Sequence, residues 1–161
     1  MKYKARKYFP SGSYIDIELD GNKKLGKHFW TYELVNKSAK DEIKLEIYPE
    51  SEVFIQMTDE LREALGAYSP NSAYRTRSFN NSLPDADPNS AHLYLCAEDI
   101  PRKGNYDNLV LVRNTWKSIC KKRNIKGAIN YYDTYIHIEA FSDKWYGQKS
   151  DFVVRDKRKK K

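Results

Sequence analysis

Gly127-Ala-Ile-Asn-Tyr-Tyr-Asp-Thr-Tyr-Ile-His-Ile-Glu-Ala-Phe141 holds two short runs of β-branched and aromatic residues separated by Asp133 and Thr134. The second run alternates strictly. A strand there puts Ile136, Ile138 and Ala140 on one face, against a core, and Tyr135, His137 and Glu139 together on the other. The first run, Gly127 to Asp133, reads as a companion strand. Just upstream, Tyr106 to Arg123 carries Leu109, Val112, Trp116 and Ile119 at intervals of three and four, the spacing of a helix packing one face on a sheet; Asn124 and Gly127 end it. His92-Leu-Tyr-Leu-Cys-Ala-Glu-Asp-Ile100 is apolar and predicts a buried strand. Strands and helices in this mixed order predict an α+β domain with a small, largely antiparallel sheet packed by helices.

Further out, Tyr14 to Leu19 alternates apolar and polar residues and runs into Asp20-Gly21-Asn22, a strand and turn. Phe29, Trp30, Glu33 and Leu34 fall at helical spacing within residues 28–37. Thr58 followed by Asp59 and Glu60 predicts a helix start, because a hydroxyl and acidic groups satisfy the free N–H groups of a first turn. Residues 68–89 are rich in Ser, Asn, Pro and Asp and predict a loop, with one or two helical turns over Thr76 to Leu83.

A length of 161 residues suits one domain, taken as residues 1–154 with 1–25 as an N-terminal extension. The hydrophobic residues are dispersed, with no run able to span a bilayer, which predicts a soluble protein, expected to be a monomer. The basic start, Met1 to Pro10, lacks the apolar stretch of a secretory signal, so synthesis is expected to end in the cytoplasm. Cys96 and Cys120 show no disulfide or metal-knuckle spacing and are taken as free, buried thiols. Of the net charge of +7, residues 155–161 alone supply six cations against one anion. This basic tail reads as a solvated terminus, with contact to a polyanion as the alternative.

Ser90-Ala-His92-Leu-Tyr-Leu-Cys-Ala97-Glu-Asp99 resembles the Ser-x-His-x-x-Gly-x-Ala-x-Asp pattern of the M15 family of zinc D-Ala-D-Ala carboxypeptidases and cell-wall endopeptidases. Ser72-Ala-Tyr-Arg75-Thr-Arg-Ser-Phe-Asn80 is similar to that family's Ser-Gly-Tyr-Arg-Ser-x-x-x-Asn segment, and Tyr135-Ile-His137-Ile-Glu139 to its closing aromatic-x-His-x-acid strand. His28-Phe29 with Glu33-Leu34 looks like its entry helix. The matches occur in order and run from about Phe29 to Glu139. They imply a hedgehog/DD-peptidase-like fold, zinc held by His92, Asp99 and His137, and Arg75 as the cation that stabilises a developing oxyanion, with Arg77 as fallback. Two departures from the pattern bear on the site. Leu95 stands where the family has glycine, and Thr134 stands where many members place the acidic general base.

The donor chemistry agrees with the resemblance. Two imidazoles and one carboxylate are a ligand set that leaves zinc a fourth position for water. Seven residues separate His92 from Asp99, which in a regular strand sets them on opposite faces, so a bend between them is required. For the base, Asp133 is preferred, as an acid in a Tyr-Tyr-acid run like that of the hedgehog signalling domain. Glu139, two steps from His137 on the same face, is the alternative, with orienting a ligand as its plainer role.

The implied activity is hydrolysis of peptidoglycan stem peptides, as carboxypeptidase or endopeptidase, with release as in a phage or prophage lysis system. The alternative keeps the fold and metal without hydrolysis, as a cell-wall-binding or virion module. A nucleic-acid-binding role is disfavoured, because the 13 tyrosines are scattered rather than interleaved with Lys and Arg.

Overall fold

A computed structural model describes residues 2–35 and 44–159. The chain opens with β1 (Lys2–Tyr8) and β2 (Tyr14–Asp20), followed by a two-stranded ribbon of β3 (Lys24–Leu25) and β4 (Phe29–Trp30) and the single turn α1 (Thr31–Leu34). Then come β5 (Lys44–Ile47), the long helix α2 (Pro49–Leu65) and the short α3 (Arg77–Ser82). A 3-10 turn over Ala91–Tyr94 leads into β6 (Ala97–Pro101); a second, Gly104–Asp107, precedes α4 (Leu109–Lys122). The chain finishes with β7 (Gly127–Tyr131), β8 (Tyr135–Ala140), α5 (Ser142–Tyr146) and β9 (Phe152–Asp156).

The fold is mixed α and β, built on two main sheets. One has the order β2-β1-β5, antiparallel between β1 and β2 and parallel between β1 and β5. The other has the order β6-β8-β7-β9, antiparallel except for the parallel pair β7/β9. Residues 2–25 of the expected N-terminal extension are therefore not an appendage. Tyr3 and Ala5 of β1 lie in the same buried cluster as Leu45, Phe54, Trp116 and Ile138, because the basic start alternates apolar and charged positions and so offers one face to the core. The expected basic tail is corrected in the same way: Arg155 and Asp156 belong to β9, and the Lys157 N–H donates to the Tyr131 carbonyl (2.8 Å). Lys160 and Lys161 lie outside the described residues.

Several expected elements form as read. β2 matches the alternating run at 14–19, and α3 is capped by Thr76, whose Oγ1 accepts from the Phe79 N–H. β8 buries Ile136, Ile138 and Ala140 as the alternation requires. Helix α4 starts at Asn108, whose side chain accepts from the Leu111 N–H, and ends before Asn124, which takes the left-handed conformation at φ 52°. Its Trp116 is fully buried edge-on to Phe54 of α2 at 5.8 Å, a contact whose truncation to alanine is worth on the order of 3–5 kcal/mol. The helix read at 28–37 is the one turn of α1, with residues 36 and 37 outside the described residues.

Two expectations are corrected. Thr58 does not start a helix; it lies inside α2, buried, with Oγ1 donating to the Ile55 carbonyl (3.0 Å). The start is nine residues earlier, where Pro49 presets φ at N1, Ser51 Oγ accepts from the Tyr48 N–H, and Glu50 and Glu52 supply the acidic first turn. The strand read at 92–100 is a 3-10 turn followed by β6. Between them Leu95 adopts φ 49°, ψ 45°, the left-handed region, while remaining fully buried. This is the bend that the His92–Asp99 spacing demanded.

Candidate metal centre

The centre is assembled from four backbone segments. His92 comes from the 3-10 turn, Asp99 from the middle of β6 and His137 from the middle of β8, where the register pairs Asp99 with His137 directly. The fourth segment, Ser72 to Arg75, runs along the free edge of β6: the Asp99 N–H donates to the Ser72 carbonyl (2.8 Å) and the Arg75 N–H to the His92 carbonyl (3.0 Å). Tyr74 N–H donates to the Leu34 carbonyl (2.8 Å), tying the same segment to the end of α1. The stretches around Arg75, His92, Asp99 and His137, far apart in sequence, therefore meet in one place.

Ligand atoms of His92, Asp99 and His137 all lie within 4.8 Å of one another; His92 and Asp99 are buried, and the His137 side chain is 12% exposed to the cleft. His92 Nδ1 sits 2.6 Å from the Ala73 carbonyl oxygen, which can only accept, so Nδ1 carries the proton and Nε2 a lone pair. That Nε2 is buried and has no hydrogen-bond partner; Asp99 Oδ1 is 3.4 Å away. A buried acceptor left unpaired costs about 1–3 kcal/mol unless something binds it. His137 Nδ1 lies 2.8 Å from Asp99 Oδ1, and its Nε2 lies 3.0 Å from Glu139 Oε2. The other oxygen of Asp99, Oδ2, accepts from Arg75 Nη2 (2.8 Å), and Arg75 Nε donates to Ser72 Oγ (3.0 Å).

The electrostatics suit a cation. Burial alone raises a carboxyl pKa, but the rings of His92 and His137 outweigh it and hold Asp99 well below the usual carboxylate range. Burial lowers the pKa of His92. At His137 burial acts in the same direction, but hydrogen bonds to Asp99 and Glu139 overcome it and raise the ring to about 9. Without a metal, His137 is thus an imidazolium clamped between two carboxylates, and a divalent cation bound to Nδ1 would replace one of its protons. An orphaned nitrogen on His92, an ionised Asp99 and a His137 Nδ1 facing them form a donor set that can hold a metal ion.

The remaining expected site residues separate clearly. Glu139, only 2% exposed, is in the cleft; its Oε1 accepts from Ser142 Oγ (3.2 Å) while Oε2 meets His137. Arg75 is at the centre, on Asp99 itself. Asp133 is not: it is exposed in the turn between β7 and β8, where its carbonyl accepts from Arg102 Nη1 (3.1 Å), and it does not line the cleft. The chain turns there, but away from the histidines, so the order of preference between the two carboxylates reverses. Arg77 lies over the Tyr94 ring at 5.8 Å, outside the centre. Sequence reasoning passed over Asn130, Tyr132 and Arg155, which also line the cleft of about 710 Å³. Register could have found two of them, since Asp99, His137, Asn130 and Arg155 are consecutive partners across β6-β8-β7-β9. Cys96 and Cys120 are free and buried. No helix among the described residues is long and apolar enough to cross a membrane. Compared with family models, curated proteins and solved structures, the chain finds no match.

Proposed function

We propose that this chain is a zinc-dependent peptidase of the M15 type acting on peptidoglycan stem peptides. The observation that carries the reading is the unpaired Nε2 of His92, buried beside Asp99 and His137 and oriented by the Ala73 carbonyl. A second supports the family resemblance in particular. Leu95, which stands where that family has glycine, is in the left-handed conformation that glycine adopts without strain, so the chain bends there in the way a glycine would favour.

Zinc bound by His92, Asp99 and His137 would supply an acidified water and a Lewis acid for the peptide carbonyl. The protein's own groups have defined tasks around it. Ala73 and Glu139 fix the ring orientation of His92 and His137, and Arg75 holds Asp99 so that Oδ1 faces both imidazoles. The other N–H groups of Arg75 are the donors for negative charge developing on the carbonyl oxygen. Glu139, the cleft carboxylate that meets His137, is the proton acceptor in this scheme.

A second reading, a metal-binding cell-wall or virion module without turnover, is favoured by one observation: both oxygens of Glu139 are already engaged, by His137 and Ser142. Digestion of purified peptidoglycan by the zinc-loaded protein, followed by mass spectrometry of the muropeptides, separates the two. New stem-peptide termini are the expected result. An unchanged profile from protein carrying one zinc per chain would leave the binding module.

A further inference from the structure

The row Asp99, His137, Asn130, Arg155 crosses the whole of β6-β8-β7-β9, and register puts all four side chains on one face. Its outer end is cationic. Arg155 and Lys157, two positions apart on the last strand and its extension, share that face and line the cleft with the histidines. Among the described residues, Arg155 reaches Asn130 Oδ1 (3.2 Å) and Glu139 Oε1 (3.7 Å) through Nη1, and its side chain is 38% exposed. A guanidinium has five N–H donors, so most of this one is open to a ligand. The other lip of the cleft, the loop after α3, carries Asp85 and Asp87, so an anion is repelled there and drawn to the β9 side.

We infer that Arg155 and Lys157 form an anion subsite that selects peptides carrying a free carboxylate within about three residues of the bond at the metal centre. The inference rests on the peptidase reading for the word bond, and on the sheet for the spacing. The backbone of Arg155 stands two strand spacings, about 10 Å, from that of His137. An extended peptide covers ~10 Å in three residues. An acidic branch inside the peptide, such as the α-carboxylate of a γ-linked glutamate, lies within that reach. The residues that looked like a solvated tail are thereby specificity-determining groups of the cleft.

The test compares two stem pentapeptides, one with its D-glutamyl carboxylate free and one with that group as carboxamide. Calorimetric Kd values are measured on zinc-loaded wild type, Arg155→Gln, Lys157→Gln and Arg155→Lys, and products are followed by mass spectrometry in parallel. One charge-assisted contact predicts that wild type binds the acid about tenfold or more tightly than the amide. The ratio should fall towards one in the two glutamine variants and be largely kept by Arg155→Lys. Because the subsite is partly exposed, the ratio should also shrink in high salt. Equal binding of the two peptides by wild type, binding of neither, or an unchanged ratio in both glutamine variants overturns the inference. Cleavage without a ratio removes the subsite and leaves the peptidase; a ratio without cleavage does the reverse.

Discussion

His92→Ala should make the protein both less stable without metal and indifferent to zinc. The three ligands come from a 3-10 turn and two strands, so the unfolded chain does not assemble them, and zinc binds the folded state. At free zinc 100 times its Kd, that linkage stabilises the fold by ~2.7 kcal/mol. For a chain of this length each kcal/mol moves Tm by about 2–4 °C, so the wild type should gain about 5–10 °C. In the variant the gain disappears. A further loss appears in chelator, because truncating the buried ring leaves a cavity and strips the Ala73 carbonyl of its donor, while removal of the orphaned Nε2 offsets about 1–3 kcal/mol of it. The assay is thermal unfolding followed by circular dichroism, in chelator and then across a zinc titration. His92→Gln, which keeps a polar group near Ala73, guards against simple misfolding. A zinc-dependent rise in Tm of the same size in both variants and in wild type would refute the assignment of His92 as a ligand. No rise in wild type would refute the centre altogether.

Glu139→Gln separates two roles: if the group mainly orients His137, zinc affinity falls by about 10–100-fold, whereas a proton acceptor alone would lose turnover at unchanged zinc content. Leu95→Ala should cost about 2–5 kcal/mol in urea unfolding, and Leu95→Gly no more than that, since relieving φ 49° recovers ~1 kcal/mol. A glycine variant clearly less stable than the alanine one would count against strain at that position. Glu60 links α2 to α4 through Arg123 Nη2 (2.7 Å), and the Arg123 hydrogen bond lowers its pKa to about 2. A depressed folded pKa means the contribution is present above the unfolded value of ~4.3 and is lost as pH falls towards 2. Glu60→Gln should therefore cost about 1 kcal/mol at neutral pH, the pair being partly exposed, with the difference from wild type vanishing near pH 2.

What could be read from the sequence was what carries a period. β8 alternates and α4 repeats at three and four, so their buried faces followed directly, and with them the direction of His137. The segment at 92–95 defeated the same logic because its turn is buried: a 3-10 turn among core residues is as apolar as a strand, and the left-handed Leu95 offers no glycine to mark it. Start signals at Tyr48-Pro49-Glu50-Ser51 were present but were passed over for Thr58, whose hydroxyl bonds back within α2. β1 and β9 were hidden by charge. In β1 lysine and arginine fill the outward positions, and in β9 the closing Arg155-Asp156 merges with the charged run after it, so read as composition rather than alternation both resemble tails. Asp133 was misplaced for a different reason: its distance to the centre depends on the direction of a turn, which no local pattern encodes.

The two histidines are held by unlike means. Glu139, which orients His137, is a side chain and can be removed by a single codon change; the Ala73 carbonyl, which orients His92, belongs to the main chain and survives every substitution there. Tolerance at the two positions should differ accordingly. At 139 chemical identity matters, whereas at 73, where the residue is 1% exposed, only bulk matters, because a larger side chain would push the strand segment and its carbonyl away from the ring. One half of the centre is thus inherited from the fold itself, and drift in sequence can erode it only by moving the backbone.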